Sequence, residues 1–248
     1  MTSGSLVLGV LNGLTYGLLA IGLVLVYKSN RFLNLAHGQM GALSALILAK
    51  LAIDDGWSWW TAFAVCVPIG VLVAIGIDRS IIRPLRQREA SSTSLLLVTV
   101  GVTQVLIGVS LLEVVQPDAN KYAVRGYPLP FHSSVHLGGV VLTGADIFAA
   151  AAVPVIVVAL AVFLRSTALG RSIRAAASNP DEARLCGIST DRVSMVTWAL
   201  AGGLSALTAI ISAPNLSVTA SAALGPNLLF LGLGAAALAA FSSISLAL

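Results

Sequence analysis

Apolar stretches recur along nearly the whole chain and are separated by short polar segments. A helix needs about 20 mainly apolar residues to cross a hydrocarbon core of about 30 Å. The stretches of this length cover residues 6–27, 33–53, 57–77, 94–115, 145–164, 193–213 and 228–248. The pattern therefore predicts an all-α fold, a polytopic bundle of about seven transmembrane helices, which forms a single domain over residues 1–248.

The composition also indicates a membrane protein. Hydrophobic residues make up 57% of the chain and charged residues only 10%, whereas roughly a quarter of the residues of a soluble domain are charged. So few charges cannot cover a soluble surface. The first stretch lacks a basic segment before it and a cleavage site of small residues after it, so we expect it to remain in the mature protein.

Basic residues beside the ends of the stretches predict the orientation. Three alternate segments hold most of them: Lys28 and Arg31; Arg79, Arg83, Arg86 and Arg88; Arg165, Arg171, Arg174, Arg184 and Arg192. The intervening segments carry most of the aspartates. Because cytoplasmic segments of membrane proteins carry an excess of Lys and Arg, we expect the N-terminus outside the cell. The net charge of +4 then reflects orientation, and we expect no nucleic-acid partner.

The longest outer segment, residues 116–144, is rich in residues that interrupt helices. It holds Pro117, Pro128 and Pro130 together with several glycines, and such residues mark turns and loops. We predict irregular or partly re-entrant structure for this outer loop and assign no helix to it.

The longest cytoplasmic segment, residues 165–192, contains the signals of one short helix. Its start is indicated by a capping residue, a proline suited to the first turn and two acidic residues that favour the positive end of the helix dipole: Asn179, Pro180, Asp181 and Glu182. Gly187 supplies the stop. A helix of about two turns over 180–186 is not stable alone in water, so it either packs on its own protein as a connector or docks on another.

Polar residues interrupt the start of the second stretch. Asn34, His37 and Gln39 lie close together there, and Gly38 and Gly41 permit close approach of the backbone. Polar groups at membrane depth are costly and indicate function, and irregular backbone is tolerated where it lines a cavity or is buried in protein. We predict a substrate pathway here. Two roles remain open, direct contact with the substrate or hydrogen bonding that fixes the bend of a helix.

Two separated motifs resemble the branched-chain amino acid permease family, the inner-membrane subunits of ATP-binding-cassette importers. The first is Asn-Leu-Ala-His-Gly at residues 34–38, preceded by the apolar run 17–27. The second runs from Gly-Arg-Ser-Ile-Arg-Ala-Ala-Ala at 170–177 through Glu182-Ala183 and Gly187-Ile188 to residues 190–193. The resemblance covers most of the chain.

The resemblance implies a coupling helix in the segment 165–192, which docks into a cleft on an ATPase. The residues that it assigns to coupling are Ala176, Asn179, Pro180, Asp181, Glu182, Ala183 and Gly187. It also implies a second homologous permease subunit, two cytoplasmic ATPase subunits, an external solute-binding protein and a location in the inner membrane. No phosphate-binding Gly-x-x-x-x-Gly-Lys-Ser/Thr motif occurs in the chain. We therefore expect no bound cofactor, with ATP hydrolysed by the partner subunits.

The end of the chain departs from the family pattern. Residues 240–244 read Ala-Phe-Ser-Ser-Ile, where the family has a glycine-rich turn followed by a further span. We expect an eighth span that is missing here or supplied elsewhere.

Other functions remain as alternatives. Related permeases transport urea, amides and other small solutes, and the sequence does not distinguish among these. A secondary transporter needs carboxylates near the membrane midplane and usually repeated halves, and the sequence indicates neither. An intramembrane metal enzyme has only His132 and His136 in its favour, without a third ligand nearby, and Cys66 and Cys186 form no metal-binding pattern. We predict no catalytic residues and no metal site.

Overall fold

The computed structural model describes residues 3–131, 135–137, 140–214 and 224–238. Within these ranges the long helices are α1 (Ser3–Asn30), α2 (His37–Ile53), α3 (Trp59–Ile77), α5 (Ser92–Ser110), α7 (Gly144–Ser166), α10 (Thr190–Ser212) and α11 (Leu224–Leu238). The shorter elements are a π-helical turn (Asp78–Ile82), α4 (Arg83–Gln87), α6 (Ala119–Arg125), β1 (Val135–Leu137), β2 (Val140–Leu142), α8 (Ala168–Ser178) and α9 (Pro180–Leu185).

Seven apolar helices match the seven predicted stretches in order. Five are long and apolar enough to cross a membrane, namely α1, α3 with its continuation to Gln87, α5, α7 and α10. The shorter apolar helices are α2 and α11. The predicted all-α polytopic bundle is therefore confirmed. Residues 239–248 of the last predicted stretch, with the departure at 240–244, lie outside the described residues.

The second stretch is a helix only from His37 onwards, although the apolar pattern predicted one from residue 33. Arg31 ends α1 with a φ of 60°, and the side-chain oxygen of Asn34 accepts the backbone N–H of Ala36 at 3.0 Å. A short polar side chain that bonds to its own backbone competes with helix formation. The chain between α1 and α2 is therefore not helical.

Burial divides the helices into a centre and a periphery. More than half of α1 and α10 is buried, whereas less than a third of α3, α5 and α7 is. The peripheral helices expose large apolar side chains such as Leu72, Leu97 and Val155, which suit contact with lipid tails. The helices α1, α2, α10 and α11 pack against one another in the centre.

The two ends of the bundle differ in structure. One end, called the basic end here, holds the end of α1, the π-helical turn, α4, α8, α9 and the start of α10. The other, called the hairpin end, holds the end of α2, helix α6 and the antiparallel pair β1–β2, in which Val135 pairs with Leu142. The basic end carries the arginine-rich segments and the hairpin end the aspartate-rich ones.

Both long loops contain more structure than the sequence predicted. In segment 116–144 the Asp118 side chain accepts the N–H groups of Asn120 and Lys121 and so caps α6, and the β1–β2 hairpin follows; leaving this loop without a helix was wrong. In segment 165–192 the helix α8 precedes the predicted one. Thr167 caps α8 by accepting the Gly170 N–H at 2.9 Å.

The helix α2 begins near the middle of the bundle. The ring of His37 lies beside Leu19, which precedes the end of α1 by eleven residues, or about 16 Å along the helix axis. The helix α11 begins beside the start of α2, because the Gly225 backbone lies against Gln39, and it reaches Leu19 at Gly232, about 10 Å further along its axis. From there α2 runs towards the hairpin end and α11 towards the basic end.

These helices form an inverted arrangement of two pairs, α1–α2 and α10–α11. The long helices α1 and α10 pack together, and α2 and α11 each pack mainly on the long helix of the other pair. Interrupted helices whose ends meet at mid-depth are typical of transport sites in membrane proteins. The crossing of α2 with α1, α10 and α11 is therefore the candidate functional site.

Candidate functional site

The five predicted pathway residues all lie at this crossing and are buried. Asn34 and His37 are 0% exposed and Gln39 is 1% exposed, and both glycines are buried. Because α2 begins at His37, the positive end of its dipole lies at mid-depth. The structure thus brings together all the residues that the interruption of the apolar pattern singled out.

His37 is held between α1 and α10. Its Nε2 lies 3.2 Å from the carbonyl oxygen of Leu19, and a carbonyl only accepts, so Nε2 carries a proton. The hydroxyl of Ser205 donates to the His37 backbone carbonyl. A Cβ on Gly22 would overlap the imidazole ring, so a residue without a side chain is required beside it.

Gln39 connects α2 with α5 and α11. Its Nε2 donates to Ser110 Oγ at 3.0 Å, and its Oε1 lies against the backbone of Gly225. Ser110 was missed by the sequence analysis. A signal for it existed, since Thr99, Leu106 and Ser110 recur at helical spacing on the buried face of α5.

Three polar atoms at this crossing have no hydrogen-bond partner among the described residues. They are Asn34 Nδ2, His37 Nδ1 and Gln39 Oε1. Asn34 Nδ2 is a donor, and Gln39 Oε1 is an acceptor. An unsatisfied buried polar group costs about 1–3 kcal/mol, so native proteins keep few of them and usually for a reason. Three such atoms lie within six positions at the positive end of the α2 dipole, and they are therefore candidates for contact with polar groups of a ligand.

The two glycines allow close packing around these atoms. A Cβ on Gly38 would overlap the carbonyl oxygen of Gly225, and a Cβ on Gly41 would overlap that of Ser205. Both positions therefore let α10 and α11 approach the start of α2. The segment just before α2 contacts α5, because the Leu35 N–H donates to Thr99 Oγ1 at 3.1 Å.

The short helix predicted at residues 180–186 is present as α9. Asn179 Oδ1 accepts the N–H groups of Asp181 and Glu182 at 3.1 and 3.3 Å, and Gly187 ends the helix with a φ of 78°. These local signals were predicted correctly, although α9 ends at Leu185 rather than at residue 186.

The assigned coupling residues divide into two faces. Ala176 and Ala183 are buried against the bundle. Asp181, Glu182 and Leu185 face outwards, and Leu185 is 89% exposed. The same segment therefore packs on its own protein and also presents a free surface, so the two alternatives drawn from the sequence are compatible.

A cluster of charges lies at the hairpin end, around a cavity of about 460 Å³. Asp54 accepts from the Asp118 N–H at 3.0 Å and from the ammonium groups of Lys50 and Lys121 at 3.4 Å each. Desolvation by burial acts to raise the pKa of Asp54, but these bonds outweigh it and hold the pKa below its usual value of 3.8. The cluster attaches segment 116–125 to the end of α2.

Metal binding finds no support in the part of the chain that the structure describes, where no three His, Cys, Asp or Glu side chains form a group. His132, one of the two histidines considered above, lies outside that part. Cys66 is buried and Cys186 is exposed, and both are free thiols.

Comparison with known proteins identifies the family. The sequence model described as "Branched-chain amino acid transport system / permease component" matches residues 5–248. The high-affinity branched-chain amino acid permease protein LivH of Escherichia coli K12 is 30% identical over 212 residues, which is 82% of this chain and 68% of the relative. The corresponding protein BraD of Pseudomonas aeruginosa is 26% identical over 215 residues, which is 83% and 69% of the two chains.

A third relative comes from Methanocaldococcus jannaschii. The probable branched-chain amino acid permease LivH of Methanocaldococcus jannaschii is 27% identical over 197 residues, which is 76% of this chain and 59% of the relative. No solved structure matches the chain significantly. The family match over nearly the whole length agrees with an apolar bundle interrupted at Asn34–Gly38, and the chain belongs to the permease components of branched-chain amino acid transport systems.

Proposed function

We propose that this chain is the transmembrane permease subunit of an ATP-binding-cassette importer and forms half of the translocation pathway for branched-chain or related small amino acids. Family membership supports the permease role. The names of the relatives from E. coli and P. aeruginosa support the solute class. The observation that carries the proposal is the interruption before α2, which places unpaired polar atoms at mid-depth in an apolar bundle.

The start of α2 suits a zwitterionic amino acid. Asn34 Nδ2 and the positive end of the α2 dipole complement a carboxylate, as the ends of interrupted helices do in other transporters. Gln39 Oε1 and His37 Nδ1 complement an ammonium group, because both can accept its protons. The solute's aliphatic side chain meets the apolar residues that surround the crossing.

The remaining parts of the importer are partners. The basic end faces the cytoplasm, by the excess of arginine there, so the N-terminus lies outside. The exposed face of α9 docks on one of two ATPase subunits, which bind and hydrolyse ATP, and this chain binds no cofactor of its own. A second homologous permease subunit completes the pathway, and an external solute-binding protein delivers the solute.

The test is uptake of radiolabelled leucine by proteoliposomes that contain the importer reconstituted from this chain and its co-purified partners. We expect ATP-dependent uptake, and we expect His37→Ala to raise the apparent KM or abolish uptake. The control is Thr208→Ala, because Thr208 is equally buried but bonds only to Leu204 in its own helix.

Two results would overturn parts of this proposal. Normal uptake with an unchanged KM in His37→Ala would remove His37 from the pathway. ATP-dependent uptake of urea or acetamide in place of leucine would replace the solute class while leaving the permease role in place.

A further inference from the structure

The two flanks of α9 are attached to the same pair of residues at the end of α1. On the first flank, the guanidinium of Arg31 donates from Nη2 to the carbonyl oxygens of Ala177 and Ser178, at 2.9 and 3.1 Å. These carbonyls belong to the last turn of α8, where the negative end of the helix dipole favours a cation. Only Asn179 separates α8 from α9.

On the second flank, the first turn of α10 reaches Asn30. Asp191 forms ion pairs with Arg83 at 2.7 Å and Arg86 at 2.9 Å. Arg86 also donates from Nη1 to Asn30 Oδ1 at 2.5 Å. Ser194 Oγ lies 2.8 Å from the same oxygen. Asn30 thus connects α1 with both α4 and the start of α10.

Arg31 occupies a backbone position that favours glycine. Its φ is 60°, and its N–H donates to the Tyr27 carbonyl at 2.7 Å to close the last turn of α1. Glycine is the usual residue at such a helix end, and a side chain there costs on the order of 1 kcal/mol or more. An arginine at this cost indicates that its guanidinium is used.

Beyond Arg31 the chain is short and held at several points. Five residues separate Arg31 from His37. Phe32 packs on Trp198, with ring centroids 6.4 Å apart, and the Leu35 N–H is held by Thr99. A displacement of residues 30–31 is therefore passed to the start of α2 with little slack.

We infer that Asn30 and Arg31 are positioning residues that transmit movement of α9 to the polar atoms at the start of α2. Asn30 and Arg31 are called the junction here. When the flanks of α9 move, the junction moves with them, and the link 32–36 displaces His37 and Gln39 at mid-depth. The signal reaches the transport site without passing along a complete transmembrane helix.

The bonds of Arg31 contribute little to folding, which makes the inference testable. Arg31 is exposed, and hydrogen bonds and ion pairs of exposed charges are weakened by solvent. Arg31→Gly removes the guanidinium while giving the backbone the residue that its φ favours. We expect this variant to unfold at the wild-type temperature or above, so that loss of function does not reflect misfolding.

The inference rests on the proposed function, and its test uses the reconstituted importer. We expect Arg31→Gly to keep ATP hydrolysis but to lower the leucine transported per ATP by roughly three- to thirty-fold, the range for substitutions along coupled networks. We expect Arg31→Lys, which keeps a donor and a charge, to retain part of the transport per ATP that Arg31→Gly loses. The matched control is Arg125→Ala, because Arg125 is also exposed and donates to the Ile53 carbonyl at 3.2 Å, a bond at the hairpin end that does not reach α1.

Hydrogen exchange gives a readout that a purely structural role would not move. In the wild type we expect nucleotide binding to change protection of residues 32–40, and in Arg31→Gly we expect this change to disappear. If the wild type transports leucine and Arg31→Gly matches Arg125→Ala in both measurements, the junction does not transmit. If the wild type itself shows no ATP-dependent uptake, the proposed function fails instead.

Discussion

The glycines of this chain fall into two groups that the sequence does not distinguish. Gly38 and Gly41 lie where another backbone comes close to α2, whereas a Cβ on Gly101 or Gly108 of α5 would meet no atom within 4 Å. The first group is required by packing and the second is not. The difference arises because α10 and α11, which are distant in sequence, cross α2 at Gly38 and Gly41.

The two groups of glycines predict opposite effects of a glycine-to-alanine substitution on stability. Gly41→Ala places a Cβ into the Ser205 carbonyl, and we expect a loss of about 1–3 kcal/mol of stability because backbone must move. Gly108→Ala is the control, and we expect no loss or a gain of up to about 1 kcal/mol, since alanine favours a helix over glycine. Thermal unfolding in detergent measures both. Equal unfolding temperatures for the two variants would contradict this packing.

We predict that the attachment of segment 116–125 to the end of α2 depends on the charge of Asp54 and therefore on pH. Asp54→Asn removes the charge that faces Lys50 and Lys121, so we expect faster hydrogen exchange in this segment. Asp55→Asn is the control, because Asp55 is exposed. Since the folded-state pKa lies below 3.8, the contribution of Asp54 to stability is fully present above that value and is lost as the pH falls through the lowered pKa.

Exchange of the wild type, corrected for its intrinsic pH dependence, should therefore be constant from pH 8 to about pH 5 and rise only below about pH 4. A rise that begins near pH 6 would assign the attachment to another group.

The element α9 shows how far local signals determine a short helix. Its cap, its proline and its stop were all readable from residues 179–187, because each acts within a few positions. Which face is free was not readable. Ala183 is buried because α8 folds back on the bundle, and α8 itself was missed although Thr167, Ile173 and Ala176 provided a cap and an apolar face.

The exposed face of α9 predicts that docking of the ATPase depends on it. Glu182→Arg together with Gly187→Pro reverses an exposed charge and forces proline into a φ of 78° that it cannot adopt. We expect the amount of co-purified ATPase to fall roughly tenfold or more, which corresponds to about 1.4 kcal/mol. Asp55→Arg reverses a charge at the opposite end and serves as the control. Unchanged complex formation and ATP hydrolysis would show that α9 is not the docking element.

For the whole molecule, orientation follows from the separation of the basic end from the hairpin end. The five long helices α1, α3, α5, α7 and α10 run from one end to the other. The arginines of segments 79–88 and 165–192 lie at the same end as the last turn of α1. By the positive-inside rule, this separation supports the proposed orientation, with the N-terminus outside.

The two native cysteines provide a test of this orientation. Cys186 is exposed beside α9 and Cys66 is buried in α3. We expect a membrane-impermeant maleimide to label the chain in inside-out vesicles and not in intact cells, with Cys186→Ser abolishing the labelling. Labelling in intact cells that depends on Cys186 would reverse the orientation.

The amino-acid sequence alone determined the order of the apolar helices, the short helix at Asn179–Gly187 and the polar interruption at residues 34–39. These features depend on composition and on interactions within a few residues. Only the tertiary structure decided that the interruption lies at mid-depth, that α11 begins beside Gln39, that Ser110 and Ser205 meet α2, and that the junction meets α8 and the start of α10. These contacts join residues that are 71 to 186 positions apart, and no local pattern specifies which distant backbone will lie beside which.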